Sequence, residues 1–216
     1  MKFSNFRAGE MLAVLLSATL SCAIFSSAAC ATESKNATNK PATFKQSYTW
    51  YDGNRERKVW LNTQLVAEFN PDPQGEKAVK SAYANAKTFA VRRKQTGIRI
   101  WQLDDTAGVA SANIKARHPQ GKYSPVLHDG ASSDSRMRAL PGNVIVYFDP
   151  KWDEKTVNSW LSARKFEAVK KLGVGPNVYV IKTGPGLEAL DIANALYRIG
   201  EVKAAFPDWW QEVTTR

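Results

Sequence analysis

Residues 141–207 carry the pattern that most constrains the fold, because short apolar runs alternate there with stretches of helical spacing. Runs rich in β-branched residues, bounded by Gly, Pro or Asp, predict four strands at residues 143–148, 167–172, 177–183 and 202–206. Apolar side chains three to four residues apart predict helices at 153–165 and 187–199. The order βαββαβ therefore predicts an α+β domain in which two helices cover one face of a sheet.

The same order of elements recurs earlier in the chain. Residues 65–71 (LVAEFNP) align with 144–150 (VIVYFDP) at a spacing of 79, and residues 98–103 align with 178–183 at a spacing of 80. We infer a diverged internal duplication, which makes the fold two ferredoxin-like βαββαβ copies in tandem. The alternative is that two similar βαβ units share this pattern through their shape alone.

The first residues are typical of a secretory signal peptide. Lys2 and Arg7 give a positive start, residues 11–25 are mostly apolar, and small residues precede the expected cleavage after Ala31. The apolar run is too short for a membrane span, which takes roughly 20 residues. We therefore expect a periplasmic or secreted protein without a membrane anchor.

Cysteine usage agrees with this expectation. Cys22 and Cys30, the two cysteines of the chain, both leave with the signal peptide. The mature protein would then fold without a disulfide, which its length allows.

The composition of the remaining chain suggests its division. The segments that we expect are a signal peptide (1–31), a flexible leader (32–45), a first βαββαβ-like domain with a leading hairpin (46–127), a linker (128–140), a second βαββαβ domain (141–208) and a C-terminal tail (209–216). The hairpin is expected around Asp52 and Gly53, with a loop longer than two residues.

Charge and residue counts exclude several classes of function. Lys and Arg number 30 against 20 Asp and Glu, a net charge of +10 that favours acidic partners. Export argues against nucleic acid as the partner. Two Cys and two His leave little material for a metal site or a thiol enzyme, and no Gly-x-Ser-x-Gly motif is present. We therefore expect no catalytic residues, no metal and no cofactor, and we interpret His128 as a solvated linker residue.

Several motifs of the chain resemble a known family. The start at Pro141, Gly142 and Asn143 and the ending at 202–207 (VKAAFP) resemble subtilisin-type propeptides and peptidase-inhibitor domains. The segments 124–127 (SPVL) and 138–142 (RALPG), with the paired tryptophans of the tail, resemble the external chaperones of bacterial kexin-like serine proteases. The resemblance implies a domain that guides a subtilisin-like protease to its folded state, with its C-terminal tail in the active-site cleft like a bound product.

The residues of the tail suit that role. Val213, Thr214 and Thr215 are β-branched and favour an extended chain, which can add as a strand to a cleft edge. Arg216 would bring a guanidinium to an acidic specificity pocket and a carboxylate to the oxyanion donors. Val213 would fill an apolar subsite. Thr215 departs from the family pattern, since kexin-like proteases usually prefer a second basic residue there.

Two alternatives stay open for the tail and for the whole chain. Trp209 and Trp210 point to opposite faces of a strand, so that one ring could complete the core while the other reaches a partner; otherwise both cover the sheet edge. The tail itself could be solvated. The chain could also be a generic periplasmic binding or scaffold protein with no protease client.

Overall fold

The computed structural model describes residues 44, 46–92, 97–104 and 107–213, all of which belong to one unit of the chain, 40–216. The expected signal peptide, nearly all of the leader and the last three residues of the tail lie outside this part. In chain order the described elements are β1 (Ser47–Asp52), β2 (Arg55–Phe69), α1 (Pro73–Ala82), β3 (Lys87–Arg92), β4 (Ile98–Gln102), α2 (Ala107–Arg117), β5 (Lys122–His128), β6 (Met137–Ala139), β7 (Val144–Tyr147), α3 (Glu154–Ala163), β8 (Ala168–Leu172), β9 (Val178–Ile181), α4 (Leu187–Ile199), β10 (Ala204–Pro207) and β11 (Trp210–Gln211).

The strands form two antiparallel sheets, so the fold is α+β as predicted. The first sheet has the order β11-β6-β5-β2-β4-β3, with β1 also paired to β2. The second sheet has the order β10-β7-β9-β8. The four strands β5-β2-β4-β3 repeat the arrangement of the second sheet, because in both cases the last and third strands of a βαββαβ series flank the first.

Local signals in the sequence explain where the helices begin and end. The Asp72 side chain accepts a hydrogen bond from the Gly75 amide at 2.6 Å, and Pro73 occupies the first turn of α1. The Asp153 side chain caps α3 in the same way, through the Thr156 amide at 2.8 Å. Gly200 ends α4 in the left-handed conformation, with φ at 71°. These elements lie within a few residues of the predicted ones.

The two halves of the chain share a core. The large apolar cluster between the second sheet and α3 and α4 also contains Trp50, Val59 and Leu61, which belong to the leading hairpin. The Asn194 side chain on α4 donates a hydrogen bond to the Thr49 carbonyl at 2.8 Å. The hairpin therefore joins the first sheet to the packing of the second half.

The leading hairpin is tighter than the sequence predicts. Asp52 pairs with Arg55, so that only Gly53 and Asn54 lie between the strands. Gly53 has a φ of 59°, a conformation that favours glycine and suits a two-residue turn. The expected longer loop is wrong because Arg55 and its neighbours continue β2 instead of leaving it.

The residue-by-residue alignment of 65–71 with 144–150 is also wrong. Val66 packs in the cluster beneath α1 and α2. In the second half the residue that packs beneath α3 and α4 is Val144, and the aligned partner of Val66 is the next residue, Ile145. Adjacent strand residues point to opposite faces of a sheet. An alignment at a spacing of 79 therefore matches residues that face the helices in one half with residues that face away from the helices in the other half. The strand order of the two halves agrees, but this sequence match does not describe equivalent positions.

Candidate functional site

The C-terminal segment adds a strand to the first sheet, although it follows the second half of the chain. Trp210 pairs with Ala139 and Gln211 with Arg138, both antiparallel. The Glu212 amide then donates a hydrogen bond to the Met137 carbonyl at 3.0 Å. We call residues 209–212 together with β6 the tail clasp. β6 itself lies within the stretch expected to be a linker, where it pairs with β5.

Trp209 anchors the clasp to the core of the second half. Its ring lies edge-on to Trp50, with the centroids 5.4 Å apart. The Arg138 guanidinium lies 5.6 Å from the centroid of each of these two rings and forms an ion pair with Asp129. A cation placed between two aromatic faces adds attraction to the apolar contact.

Trp210 anchors the clasp on the opposite side of the sheet. It packs against a separate cluster that includes Val126, Met137 and Ala139. Both indoles therefore pack on their own chain, as in the alternative in which they cover the sheet edge, and both stay half-buried. The Nε1 atoms of Trp209 and Trp210 are buried without a hydrogen-bond partner among the described residues.

Val213, the residue directly after the clasp, has a solvent-exposed side chain. Val213 is 76% exposed, the largest exposure among the large hydrophobic residues of the described part. Thr214, Thr215 and Arg216 lie outside the described residues. Of the six predicted site residues, the structure thus places Trp209 and Trp210 on the body and Val213 in solvent.

His128 lies on β5 opposite Met137 of the clasp and is not the solvated residue that we expected. Only 1% of it is exposed, because β5 continues through residue 128 and the following loop folds back over it. Its Nδ1 lies 2.9 Å from the Ser135 carbonyl oxygen and its Nε2 3.3 Å from the Asn62 amide nitrogen. Burial lowers the pKa of His128, against the opposing effects of the Ser135 carbonyl and the charges of Glu212 and Asp129.

The second sheet carries an apolar surface on the face opposite α3 and α4. Along β7 the burial alternates, since Val144 and Val146 face the helices while Ile145 and Tyr147 are half-buried on the other face. Phe206 of β10 lies opposite Ile145, and its ring centroid is 5.6 Å from that of Tyr147. We call this surface the outer face; its half-buried members are Ile145, Tyr147 and Phe206, and the neighbouring Val178 and Val180 of β9 are buried.

A buried ionic cluster in the first half escaped the sequence analysis. Glu68 is 2% exposed and Arg99 is 5% exposed. Arg99 donates from Nε to Glu68 Oε2 at 2.9 Å and from Nη2 to Oε1 at 3.2 Å, and the Trp101 indole donates to Oε2 at 2.7 Å. The sequence contained a signal for this buried pair, because a single charged residue lies inside each of two apolar runs, LVAEF and IRIWQ.

The surroundings of this cluster indicate a structural role. Glu76 at the start of α1 accepts a further hydrogen bond from Arg99 Nη1 at 3.0 Å. Burial and the negative charges of Glu68 and Asp72 raise the pKa of the Tyr123 hydroxyl, so that it stays protonated. A cleft of about 540 Å³ beside Arg99 is open to solvent. Because the Glu68 carboxylate is held by three donors, it is not a free acid or base.

Comparison with known proteins adds no relative. No family model, no curated protein and no solved structure matches this chain. No group of three or more potential metal ligands occurs among the described residues. None of the helices in the described part has the length and apolar character needed to cross a bilayer.

Proposed function

We propose that this chain is an exported external chaperone and temporary inhibitor of a subtilisin-like serine protease, without enzymatic activity of its own. In this proposal residues 213–216 enter the active-site cleft of the protease as an extended strand. The body consists of two tandem ferredoxin-like copies and a leading hairpin, and it acts in the periplasm or outside the cell.

The observation that carries the proposal is the contrast at Glu212. Residues up to this point are held by strand pairing and two indoles, whereas Val213 is 76% exposed. A peptide that leaves a rigid body in this way can pair with a cleft edge at a low entropic cost. Arg216, at the far end of this segment, supplies the cation that an acidic specificity pocket binds.

The outer face supports a second contact with the protease. Ile145, Tyr147 and Phe206 form an apolar and aromatic surface on the side of the sheet away from its helices. Aromatic side chains are enriched among the residues that contribute most to binding at protein interfaces. The element order β7-α3-β8-β9-α4-β10 is compatible with the propeptide-like domain that the sequence resembles.

Inhibition assays with two probes test the proposal. A bacterial subtilisin and a bacterial kexin-like protease are assayed on a chromogenic peptide in the presence of the full chain and of a variant that ends at Glu212. We expect the full chain to inhibit at least one probe and the truncation to weaken inhibition by about 100-fold or more, since the tail supplies the central contacts. Recovery of activity from unfolded protease tests the chaperone role.

Three controls define the outcome. The truncated variant should keep the melting temperature of the parent, because Val213 is exposed. Trypsin, a serine protease of a different fold, should be inhibited less than the probe that the full chain inhibits. Equal inhibition by the full and truncated chains would contradict the tail mechanism. Co-purification with a small molecule or glycan, without protease inhibition, would favour the scaffold alternative.

A further inference from the structure

We infer that the tail clasp stays closed while the protease is bound, and that the first half of the chain thereby sets where residues 213–216 begin and which way they run. This inference rests on the proposed function and assigns Trp209 and Trp210 a positioning role. The resemblance to external chaperones predicts direct contact of these tryptophans with the protease. The structure places them under the point of exit.

The clasp restrains the strand from both faces. Trp209 packs against Trp50 and beneath Arg138 on one side, while Trp210 packs against the cluster around Met137 on the other. The strand between them is paired with β6. Two anchors on opposite faces stop the strand from rotating about its own axis, so they define a direction as well as a position.

The clasp also limits the reach of the tail. Four extended residues span about 13–14 Å, so the Cα atom of Arg216 can lie no further than this from that of Glu212. The acidic pocket of the protease must then lie within that distance, extended by the length of one arginine side chain, of the edge of the first sheet. β6 and its neighbour β5 belong to that sheet, so the first half takes part in aligning the tail and is more than a support for the second half.

The buried indole N–H of Trp210 suggests two variants that separate the role of the ring from that of the N–H group. The indole Nε1 of Trp210 is buried without a partner among the described residues, and a buried donor without a partner is destabilising. Trp210→Phe removes this N–H and keeps most of the ring, so it should preserve the clasp. Trp210→Ala removes the ring itself and should release the strand.

A reversible crosslink tests whether the clasp stays closed. Glu212 donates to the Met137 carbonyl, so the adjacent pair of Arg138 and Gln211 is a non-hydrogen-bonded pair. The Cα atoms of such pairs lie about 4.5 Å apart, within the range of a disulfide. Arg138→Cys combined with Gln211→Cys, in a chain with Cys22→Ser and Cys30→Ser, would lock β11 to β6.

The oxidised and reduced forms of this variant are compared for inhibition of the subtilisin and kexin-like probes. We expect the oxidised form to inhibit at least as strongly as the reduced form, because binding does not require the clasp to open and the reduced form lacks the Arg138 contacts with Trp50 and Trp209. Trp210→Ala should inhibit about tenfold more weakly or worse, Trp210→Phe should match the parent, and oxidised crosslinking should restore inhibition to Trp210→Ala. Hydrogen exchange of residues 209–212 should rise in Trp210→Ala and fall again on crosslinking.

The failures are distinguishable. If the parent inhibits but the oxidised form does not, and reduction restores inhibition, the tail must detach to bind and this inference is overturned alone. Normal inhibition by Trp210→Ala would also overturn it alone. A parent chain that inhibits neither probe overturns the proposed function and the inference together.

Discussion

The two halves of the protein fill the layer between sheet and helices with different chemistry, although their strand orders agree. In the first half this layer holds the buried pair of Glu68 and Arg99 beside an apolar cluster that includes Val66 and Ile114. In the second half the layer holds apolar and aromatic side chains such as Val146, Phe148 and Leu190. Strand order therefore does not decide what fills a core, and two βαββαβ series can depend on different interactions.

The halves also differ in the elements that each contributes to the packing of the other. The core of the second half includes Trp50, Val59 and Leu61 of the leading hairpin. In return, the first sheet receives β11 from the end of the chain. Because each half contributes to packing in the other, we expect them to unfold as one cooperative unit.

The largest expected effect on stability follows from a change in the buried ion pair of Glu68 and Arg99. Arg99→Leu leaves the Glu68 carboxylate buried and unpaired, which should lower the free energy of unfolding by about 3–5 kcal/mol. The double variant Glu68→Leu with Arg99→Leu removes both charges and should recover most of this loss. Urea unfolding of the parent and both variants measures the difference. Equal losses in the single and double variants would show that packing, and not charge, is decisive there.

A cavity in the apolar layer should have a comparable but smaller effect. Leu190 on α4 is 1% exposed, so Leu190→Ala should cost about 3 kcal/mol. Calorimetry should show a single transition shifted to lower temperature, as for Arg99→Leu. Two separate transitions, with only one shifted by each variant, would contradict the shared core.

A third prediction concerns the helix above Glu68. A methyl group at Gly75 would lie 1.9 Å from Glu68 Oε1, closer than any real contact. Gly75→Ala should therefore destabilise by about 1–3 kcal/mol, although Ala favours helices more than Gly. Ser81→Ala, at an exposed position of the same helix, is the control and should change stability by less than about 0.5 kcal/mol. A stabilised Gly75→Ala variant would show that α1 can shift away from the Glu68 side chain.

The smallest effect is a dependence on pH at the clasp. Burial lowers the pKa of His128 below its ordinary value of 6.5, so the unfolded chain binds this proton more readily than the folded chain. The stabilisation is present above pH 6.5 and is lost as the pH falls through the folded pKa. His128→Asn should flatten this slope of unfolding free energy against pH. An unchanged slope in the variant would assign the dependence to other groups.

Much of the fold could be predicted from the sequence because helices and strands leave local signals. The predicted helix at 187–199 coincides with α4, and capping by Asp153 precedes α3. The alignment of 65–71 with 144–150 failed because a match of residue types does not specify which face of a strand is buried. His128 was misplaced because its burial depends on a loop that folds back from Ser135.

The candidate site also combines features that the sequence predicts with features that depend on tertiary contacts. The β-branched residues of the tail, its terminal arginine and the paired tryptophans were visible in the sequence, whereas the outer face was not. Only the tertiary structure decided that this segment pairs with β6 of the first sheet, so that both indoles pack on the body, and that Glu212 pairs with Met137. Periodicity and capping act over a few residues and are encoded locally. Strand pairing between residues about seventy positions apart depends on which edge is free after everything else has packed.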